Sequence, residues 1–456
     1  MASTFLQRTP SSDGNRRTWT FSAWVKISAL SANTIFDVGT NGQDDYTPFF
    51  FQSDGKIRLY EVVNGTLQNY NLITNRLFRD TSAWYHLVYR VDTTQSTASD
   101  RIRLYVNGVQ ETSFSTATYP SQNYDTLKNS TSYENVIGIA SDNRLNAFDG
   151  SMSHIHFCDG YSYDATAFGE TDTTTGEWKI KTSPSVTYGT NGFFILKDGN
   201  SVTDQSGNSN NFTVGGGTLT DTLDCPDNVF NVLNAVSNPP NGYTLSNGNL
   251  EATVSGQSFI RQFIANTIAP TSGKWYWESK LITSGASDRS RLGICSYEEN
   301  IGTGTTIPQN ELSIATGTSR IRFTENGSTT EVDGFYTTPS ANDIFMYALD
   351  LDNTKFYFGI NGNWWNYNTA ETGGNPTSGS GYVTNSTNII KGAMSLLINV
   401  QAGAAATTFT NQFNFGNGYF GTTAVSSAGT NASGIGIFEY DVPTGYTALS
   451  TKGLNL

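Results

Sequence analysis

Basic residues are scarce in this sequence. Lys and Arg together number 26 against 39 Asp and Glu, which gives a net charge of −13 at pH 7. Nucleic-acid binding depends on clustered Lys and Arg side chains that displace counterions from the phosphate backbone. The acidic balance therefore argues against nucleic acid as a partner.

Cysteine and long apolar runs are scarce as well. The 3 cysteines, Cys158, Cys225 and Cys295, are widely spaced and odd in number, so neither a disulfide framework nor a closely spaced metal knuckle is predicted. No apolar run approaches the roughly 18 residues that span a bilayer, and the segment after Met1 lacks the apolar core of a signal peptide. We expect no membrane insertion and no secretion.

Aromatic residues and glycine are abundant. Aromatics make up 13% of the 456 residues, and there are 45 glycines among many Thr, Ser and Asn. This composition favours short β-strands joined by polar turns. The chain also exceeds the roughly 250 to 300 residues at which a single core stops growing. The sequence therefore predicts an all-β protein with two tandem antiparallel β-sandwich (jelly-roll) domains.

One pattern of strands and turns occurs in both halves of the chain. In residues 84–110, apolar side chains alternate along two strands, and Asn107-Gly108, a strong hairpin signal, closes the second strand. Residues 345–362 repeat the pattern and close on Asn361-Gly362. Residues 19–28 alternate in the same way and predict a central strand. The repetition indicates two β-sheet modules of similar construction.

Several segments resemble known families. In the first half these are LQRTPSSDGNRRTWTFSAWVK (6–26), FDGSMSHIHFCDG (148–160), AFGETDTTTGEWKIK (167–181) and TYGTNGFFILKDGNSVTDQSGNSNNFT (187–213). They resemble concanavalin A/laminin-G-like proteins of tailed bacteriophages. In the second half, SGKWYWE, RLGICS and DIFMYALDLDNTKFYFGINGNWW resemble the SPRY fold, and NQFNFGNGYF and FEYDVPTGYTALST resemble the closing strands of phage SPRY-like modules. The resemblance implies domains at 1–217 and 242–456, with a linker at 218–241.

No pair of catalytic carboxylates is predicted. Retaining glycosidases hold two carboxyl groups about 5 Å apart across the scissile bond, and the chain has no acidic E-x-D-x-x-E strand to supply them. Asp44-Asp45, Glu298-Glu299 and Asp350-x-Asp352 lie at turns or point to opposite strand faces. We interpret these carboxylates as solvated turn residues and assign no catalytic residue.

Two groups of residues are candidate metal ligands. Asp142, Asn143 and Asp149 bracket a loop at a strand end and offer the oxygen ligands that calcium prefers, and calcium is plausible in laminin-G-like modules. The alternative is ordinary turn polarity, because Asn and Asp are common turn residues. His154 and His156 are spaced to share one strand face with Met152 and Cys158, either as soft-metal ligands or as packed sheet residues.

Two aromatic groups are candidate ligand or interface sites. Trp364 and Trp365 are adjacent and face opposite ways on a strand, so one is exposed unless the hairpin is covered on both sides. With Tyr367, an exposed Trp would stack on a sugar ring or contact a protein neighbour, whereas the alternative is a local cap over the sandwich. Tyr46 and Phe49, near Asp44-Asp45, form a second patch together with Phe50.

These observations favour a non-enzymatic structural and adhesion protein of a phage particle. We expect it to be synthesised in the bacterial cytoplasm, displayed on the virion surface as a capsid decoration, fibre or tail-associated protein, and bound to virion neighbours and host-surface polysaccharide. The alternative is a polysaccharide-cleaving enzyme on the same fold, since fold alone does not decide function. Few lysines protect the strand edges, so we expect a homo-oligomer, with a trimer favoured over a dimer.

Overall fold

The computed structural model describes residues 4–197, 202–236, 243–254, 266–284, 290–296, 309–367, 369, 371–400 and 408–455, with the backbone alone at 67–69, 371, 396–400 and 455. The chain forms two compact units: Met1–Asp221 with Cys225–Asp227, and Thr222–Asp224 with Asn228–Leu456. Outside the described residues lie the Pro239-Pro240 end of the predicted linker and the Glu298-Glu299 pair.

Antiparallel sheets dominate both units, as predicted for an all-β sandwich protein. Within the described ranges, the helical segments are short 3-10 turns at Ala98–Asp100, Ala165–Ala167 and Gly453–Asn455. No helix in those ranges is long and apolar enough to cross a membrane. The fold class predicted from the sequence is confirmed.

The first unit packs an eight-stranded sheet, in the order β10-β6-β5-β4-β3-β11-β1-β16, against a six-stranded sheet, in the order β15-β12-β2-β7-β8-β9, and adds a two-stranded hairpin, β13-β14. Its strands are β1 (Phe5–Arg8), β2 (Thr18–Ile27), β3 (Asn33–Gly39), β4 (Phe49–Phe51), β5 (Ile57–Val63), β6 (Thr66–Thr74), β7 (Tyr85–Asp92), β8 (Ile102–Val106), β9 (Val109–Glu111), β10 (Phe114–Thr118), β11 (Glu134–Ile137), β12 (Gly150–Asp159), β13 (Gly169–Thr171), β14 (Trp178–Ile180), β15 (Phe193–Ile195) and β16 (Thr213–Gly216).

Strand alternation builds the core of the first unit. On β2, the side chains of Trp19, Phe21 and Val25 point between the two sheets and are fully buried. The opposite face of the six-stranded sheet is also covered, because Phe168 and Trp178 pack against Val88, Tyr105 and Cys158 there. Both faces of the central strand are therefore buried. In the eight-stranded sheet, β3 is also buried throughout, whereas β4 and β5 carry half-buried side chains on the outer face.

The second unit has a nine-stranded sheet, with the path β17-β18-β29-β19-β24-β25-β26-β27 and β32 beside β19, and a five-stranded sheet in the order β23-β22-β21-β20-β28, besides the pair β30-β31. Its strands are β17 (Tyr243–Ser246), β18 (Glu251–Val254), β19 (Lys274–Thr283), β20 (Ser290–Ser296), β21 (Glu311–Ala315), β22 (Ile321–Glu325), β23 (Ser328–Val332), β24 (Ile344–Asp350), β25 (Lys355–Ile360), β26 (Asn363–Asn366), β27 (Glu371–Thr372), β28 (Met394–Val400), β29 (Phe409–Asn414), β30 (Tyr419–Phe420), β31 (Thr423–Ala424) and β32 (Thr447–Ala448).

The core of the second unit also follows strand alternation. On β19, Trp275 and Trp277 face the inner core, whereas Tyr276 faces a second apolar cluster with Phe438 and Tyr446. The segment near the C-terminus therefore covers the outer face of the nine-stranded sheet. Phe230 and Leu233, which the sequence analysis placed in the linker 218–241, are buried in these two clusters.

Candidate functional site

The outer face of the eight-stranded sheet carries an exposed aromatic group. Phe49 and Phe51 of β4 are buried between the sheets, so Phe50 between them points outward and is half-buried. The assignment of Phe49 to a surface patch was therefore wrong: its side chain is 0% exposed, and its ring packs on Tyr89 at 5.5 Å between centroids. Alternation along a three-residue strand places only the middle ring on the surface.

Three rings meet on this outer face. The ring of Tyr60 lies 6.0 Å from the ring of Phe50 and 6.0 Å from that of Tyr46, both in edge-to-face geometry. All three side chains are half-buried, so each is fixed by its neighbours while part of it faces solvent. We call Tyr46, Phe50 and Tyr60 the aromatic platform.

Polar groups adjoin the aromatic platform. Phe50 pairs with Arg58 on β5, and Tyr60 pairs with Asn71 on β6, so the sheet register places these side chains in one area. The guanidinium of Arg58 lies 4.1 Å from the centroid of the Tyr60 ring, and its Nε donates to Asn71 Oδ1 at 2.9 Å. Arg58 is thus held against Tyr60 by a cation–π contact and one hydrogen bond, and its side chain is half-buried.

The phenol groups of the platform stay protonated at neutral pH. Burial, followed by the charge of Asp142, raises the pKa of Tyr46 above its ordinary value. Burial likewise raises the pKa of Tyr60. Neutral phenols can both donate and accept hydrogen bonds, so the platform combines apolar rings with hydroxyl, guanidinium and amide groups.

The predicted calcium loop lies near the platform but bonds within itself. Asn143 Nδ2 donates to Asp142 Oδ2 at 3.1 Å, and Asn143 Oδ1 accepts from the Leu145 amide at 2.8 Å. Asp149 is joined to the neighbouring loop through its backbone, which donates to Asn33 Oδ1 and accepts from Ser28. Across the described ranges, no group of three or more His, Cys, Asp or Glu side chains is arranged to hold a metal ion. Calcium binding at Asp142, Asn143 and Asp149 stays a prediction.

Two buried carboxylates of the first unit stabilise its fold through hydrogen bonds. Asp37 accepts backbone N–H bonds from Val38, Thr47 and Ser141 at 2.8 to 3.0 Å. Glu61 accepts from the Leu127 amide and the Tyr124 hydroxyl. Both carboxyl groups are 0% exposed, so neither can reach a sugar bound on the platform.

A buried lysine lies in the same region of the first unit. Lys128 Nζ donates to Thr47 O at 2.6 Å and is surrounded by the rings of Trp19, Phe36 and Tyr89. Burial lowers the pKa of Lys128 to about 8, against the opposing charges of Asp37 and Glu61. This interior network ties the loop around Lys128 to the core.

The Trp364-Trp365 pair is covered on both sides. Trp364 packs with Tyr276 at 6.2 Å on the outer cluster, and Trp365 packs against the inner core near Phe335. Both tryptophans are half-buried, which fits the local-cap alternative rather than a freely exposed Trp. Tyr367, which is 39% exposed, is the most accessible of the three.

The predicted row on β12 forms only in part, because His154 and His156 both pack on Phe194 but Met152 does not share their face. β12 leaves its register with β2 between Ser153 and His156, and His154 has φ of 47°. This bulge puts Met152 against the inner core while His156 and Cys158 face the opposite side, so the shared face expected for the four residues was wrong. The His156 ring stacks on Phe194 at 4.0 Å, and its Nδ1 lies 2.9 Å from the Tyr188 hydroxyl.

The sequence analysis missed Tyr60, Arg58 and Asn71. The alternation at the start of residues 57–63 did indicate two of them, because the apolar Ile57 and Leu59 alternate with Arg58 and Tyr60. What the sequence could not supply was the register, which places β4, β5 and β6 side by side.

Comparison with known proteins supports the fold of the first unit. Residues 4–165 match the profile of a family described as the concanavalin A-like lectin/glucanases superfamily, of laminin-G type. No curated protein matches the chain.

Solved structures with related folds are also similar to this chain. The SPRY domain of human HERC1 aligns at 12% identity and a TM-score of 0.27, covering 38% of this chain and 91% of that one. Domains LG4-5 of the mouse laminin alpha1 chain align at 10% identity and 0.28, covering 97% and 92%. A heptameric SAP-like pentraxin from Limulus polyphemus aligns at 18% identity and 0.26, covering 35% and 71%. These similarities concern the fold alone and carry no part of the functional argument.

Proposed function

We propose that the protein is a non-enzymatic adhesion protein that binds polysaccharide on the aromatic platform of its first unit. The observation that carries this proposal is the arrangement of Tyr46, Phe50 and Tyr60 beside Arg58, all half-buried, on the outer face of the eight-stranded sheet. Sugar rings present C–H faces that pack on aromatic rings, and their hydroxyl groups pair with guanidinium, amide and phenol groups. The match to a lectin/glucanase superfamily supports this choice of ligand class.

The virion surface is the proposed location. The support is the sequence resemblance to phage concanavalin A-like and SPRY-like proteins, together with the acidic surface. In this proposal the ligand is a host-surface polysaccharide, and other virion proteins anchor the chain to the particle. Immunogold labelling of intact particles with an antibody against this chain tests the location.

A binding measurement with platform variants tests the site. We expect Phe50→Ala and Tyr46→Ala each to weaken retention on bacterial surface polysaccharide by roughly 2- to 13-fold, because one stacking contact contributes roughly 0.5 to 1.5 kcal/mol. Arg58→Ala should weaken retention as well. Retention can be measured by affinity electrophoresis in gels that contain the polysaccharide.

The matched control is Tyr161→Ala. Tyr161 is 41% exposed, as a sugar-stacking residue would be, but it belongs to the segment that covers the six-stranded sheet. Its removal should leave retention unchanged. If Phe50→Ala, Tyr46→Ala and Arg58→Ala all bind as tightly as the unaltered protein, or if Tyr161→Ala weakens binding equally, the platform is not the site.

The second candidate function is cleavage of the polysaccharide. The family that matches residues 4–165 is described as lectins and glucanases, and glucanases are enzymes that cleave polysaccharide. This description favours the second candidate. It requires two carboxyl groups on either side of a glycosidic bond. Asp37 and Glu61 are buried and bonded to backbone amides, which leaves Asp44, Asp45 and Asp142 as the carboxylates near the platform that cleavage would have to use. Adhesion is therefore the function that we propose.

A further inference from the structure

Strand β10 lies at the open edge of the eight-stranded sheet. It pairs with β6 on one side, and its side chains at Ser115, Ala117 and Thr118 are exposed. An edge strand presents unpaired backbone N–H and C=O groups that can template another strand. The residues from 112 to 124 include no charged side chain, although the whole chain carries a net charge of −13.

Three other sheet edges in the described ranges differ from β10. At the edge of the five-stranded sheet, β23 carries Glu331, which pairs with Arg320 and Arg322. At the edge of the six-stranded sheet, β15 is buried throughout. At the far edge of the eight-stranded sheet, β16 is four residues long and ends in two glycines, which weaken a strand. β10 has neither a charge nor a proline to blunt it.

We propose that β10 is a self-association edge, where a second copy of this chain adds its own β10 in antiparallel pairing. Strand addition needs no side-chain complementarity beyond the absence of clashes and like charges, and Ser, Thr and Ala satisfy both conditions. A strand edge that carried acidic side chains would repel the same edge of a second copy. The β10 edge carries no charged side chain, so two copies of it can pair without repulsion. The pairing has two-fold symmetry, so it closes as a dimer and does not propagate.

The dimer differs from the trimer that the sequence analysis favoured. A head-to-tail ring would need β10 to pair with a different edge, and the glycine-rich β16 is the remaining edge of that sheet. One five-residue strand pair buries less surface than the roughly 1,200 to 2,000 Å² of a standard stable interface. We therefore expect an association that requires protein concentrations of tens of micromolar or more.

Charge substitutions at the edge provide the test. Ser115→Lys with Ala117→Lys places positive charges on both copies, and Ser115→Glu with Ala117→Glu places negative charges on both. Both positions are exposed, so the fold should tolerate them. In sedimentation velocity across a concentration series, the unaltered protein should show a dimer at high concentration, and each double variant alone should be monomeric.

Mixing the two double variants is the decisive arm of the experiment. The opposite charges now face each other across the two-fold axis, so the equimolar mixture should regain the dimer, at low salt more than at high salt. Val214→Lys on β16 is the matched control and should leave the dimer intact. A protein that stays monomeric at several hundred micromolar overturns the proposal, and so does a dimer that both double variants still form. This outcome is independent of whether the platform binds polysaccharide.

Discussion

At the scale of single residues, His86 shows how burial fixes one protonation state. Trp178 Nε1 donates to His86 Nδ1 at 2.9 Å, so Nδ1 carries no proton. The proton therefore resides on Nε2, which lies 2.9 Å from Ser22 Oγ. The imidazole is stacked between Trp24 and Trp178 and is fully buried. A second proton would have no acceptor and would place a charge in an apolar site.

The first prediction concerns acid stability. Burial lowers the pKa of His86 from 6.5 to about 3 in the folded state. Between these two values the unfolded chain binds a proton that the folded chain does not, so stability falls as pH drops from 6.5 towards 3. Over that whole window the loss from His86 is roughly 5 kcal/mol. Urea unfolding of the first unit from pH 7 to pH 4 should show about 3 kcal/mol of this loss.

His86→Gln is the variant that isolates the effect. Glutamine keeps a donor and an acceptor but does not titrate, so the slope of unfolding free energy against pH should become shallower. The buried His156 acts in the same sense, because its pKa is also lowered, and it should retain part of the slope. If the slope is the same in the variant, the assignment of His86 as a buried neutral group is wrong.

The sequence could place His86 on a core-like strand but could not foresee its partner. Trp178 lies 92 residues away on β14, and nothing in the local pattern of β14 indicates that it covers the six-stranded sheet. The same limit applies to Phe49 and Phe50. Their sequence, Phe49-Phe50-Phe51, predicts a strand but leaves open which ring faces outward until the neighbouring strands are placed.

At the scale of elements, the repeated hairpin is the feature that the sequence predicted best. Asn107 Oδ1 accepts from the His86 amide at 2.8 Å, and Asn361 Oδ1 accepts from the Ile344 amide at 2.9 Å. The backbone N–H of Asn107 donates to His86 O, and the backbone N–H of Asn361 donates to Ile344 O, each at 2.9 Å. Local turn chemistry and alternation were enough to identify these elements. The bulge at His154 was not visible because no turn residue marks it.

The second prediction concerns these two asparagines. Asn107 and Asn361 have φ of 47° and 49°, a conformation that Asn adopts more readily than Ala. Asn107→Ala and Asn361→Ala each lose a hydrogen bond and gain backbone strain, so each should destabilise its own unit by about 2 kcal/mol. Chemical denaturation followed by intrinsic fluorescence measures the change.

Glycine substitutions separate the two causes. Asn107→Gly and Asn361→Gly relieve the strain but still lack the side-chain oxygen, so they should lose about 1 kcal/mol. Equal stability of the alanine and glycine variants would show that backbone strain contributes nothing. No change in any of the four variants would contradict the role given to the turns.

At the scale of the whole molecule, His86 of the first unit and Glu278 of the second contribute to stability with opposite dependence on pH. Glu278 of the second unit is fully buried and accepts bonds from Tyr276 Oη and from the amides of Glu439 and Tyr440. Burial raises its pKa from 4.5 to about 7. The folded state holds a proton that the unfolded chain has released, so this contribution is present below pH 4.5 and is lost as pH rises through 7.

The third prediction follows from this contrast. Lowering the pH from 7 to 5 should reduce the stability of the first unit through His86 and increase that of the second unit through Glu278. In differential scanning calorimetry of the full chain, the difference between the unaltered protein and His86→Gln should isolate a downward contribution to one transition, and the difference from Glu278→Gln an upward contribution to the other. Glu278→Gln should remove most of the upward shift, whereas a second transition that moves identically in the variant would contradict the buried neutral carboxyl.

The central claim is that this chain binds polysaccharide without cleaving it. The most direct measurement incubates the purified protein with bacterial surface polysaccharide and follows both retention on the polysaccharide and the release of reducing ends. We expect retention that falls roughly 2- to 13-fold in Phe50→Ala. We expect no reducing ends above those of a protein-free control. Release of reducing ends that a single Asp or Glu substitution abolishes would contradict the account and establish an enzyme.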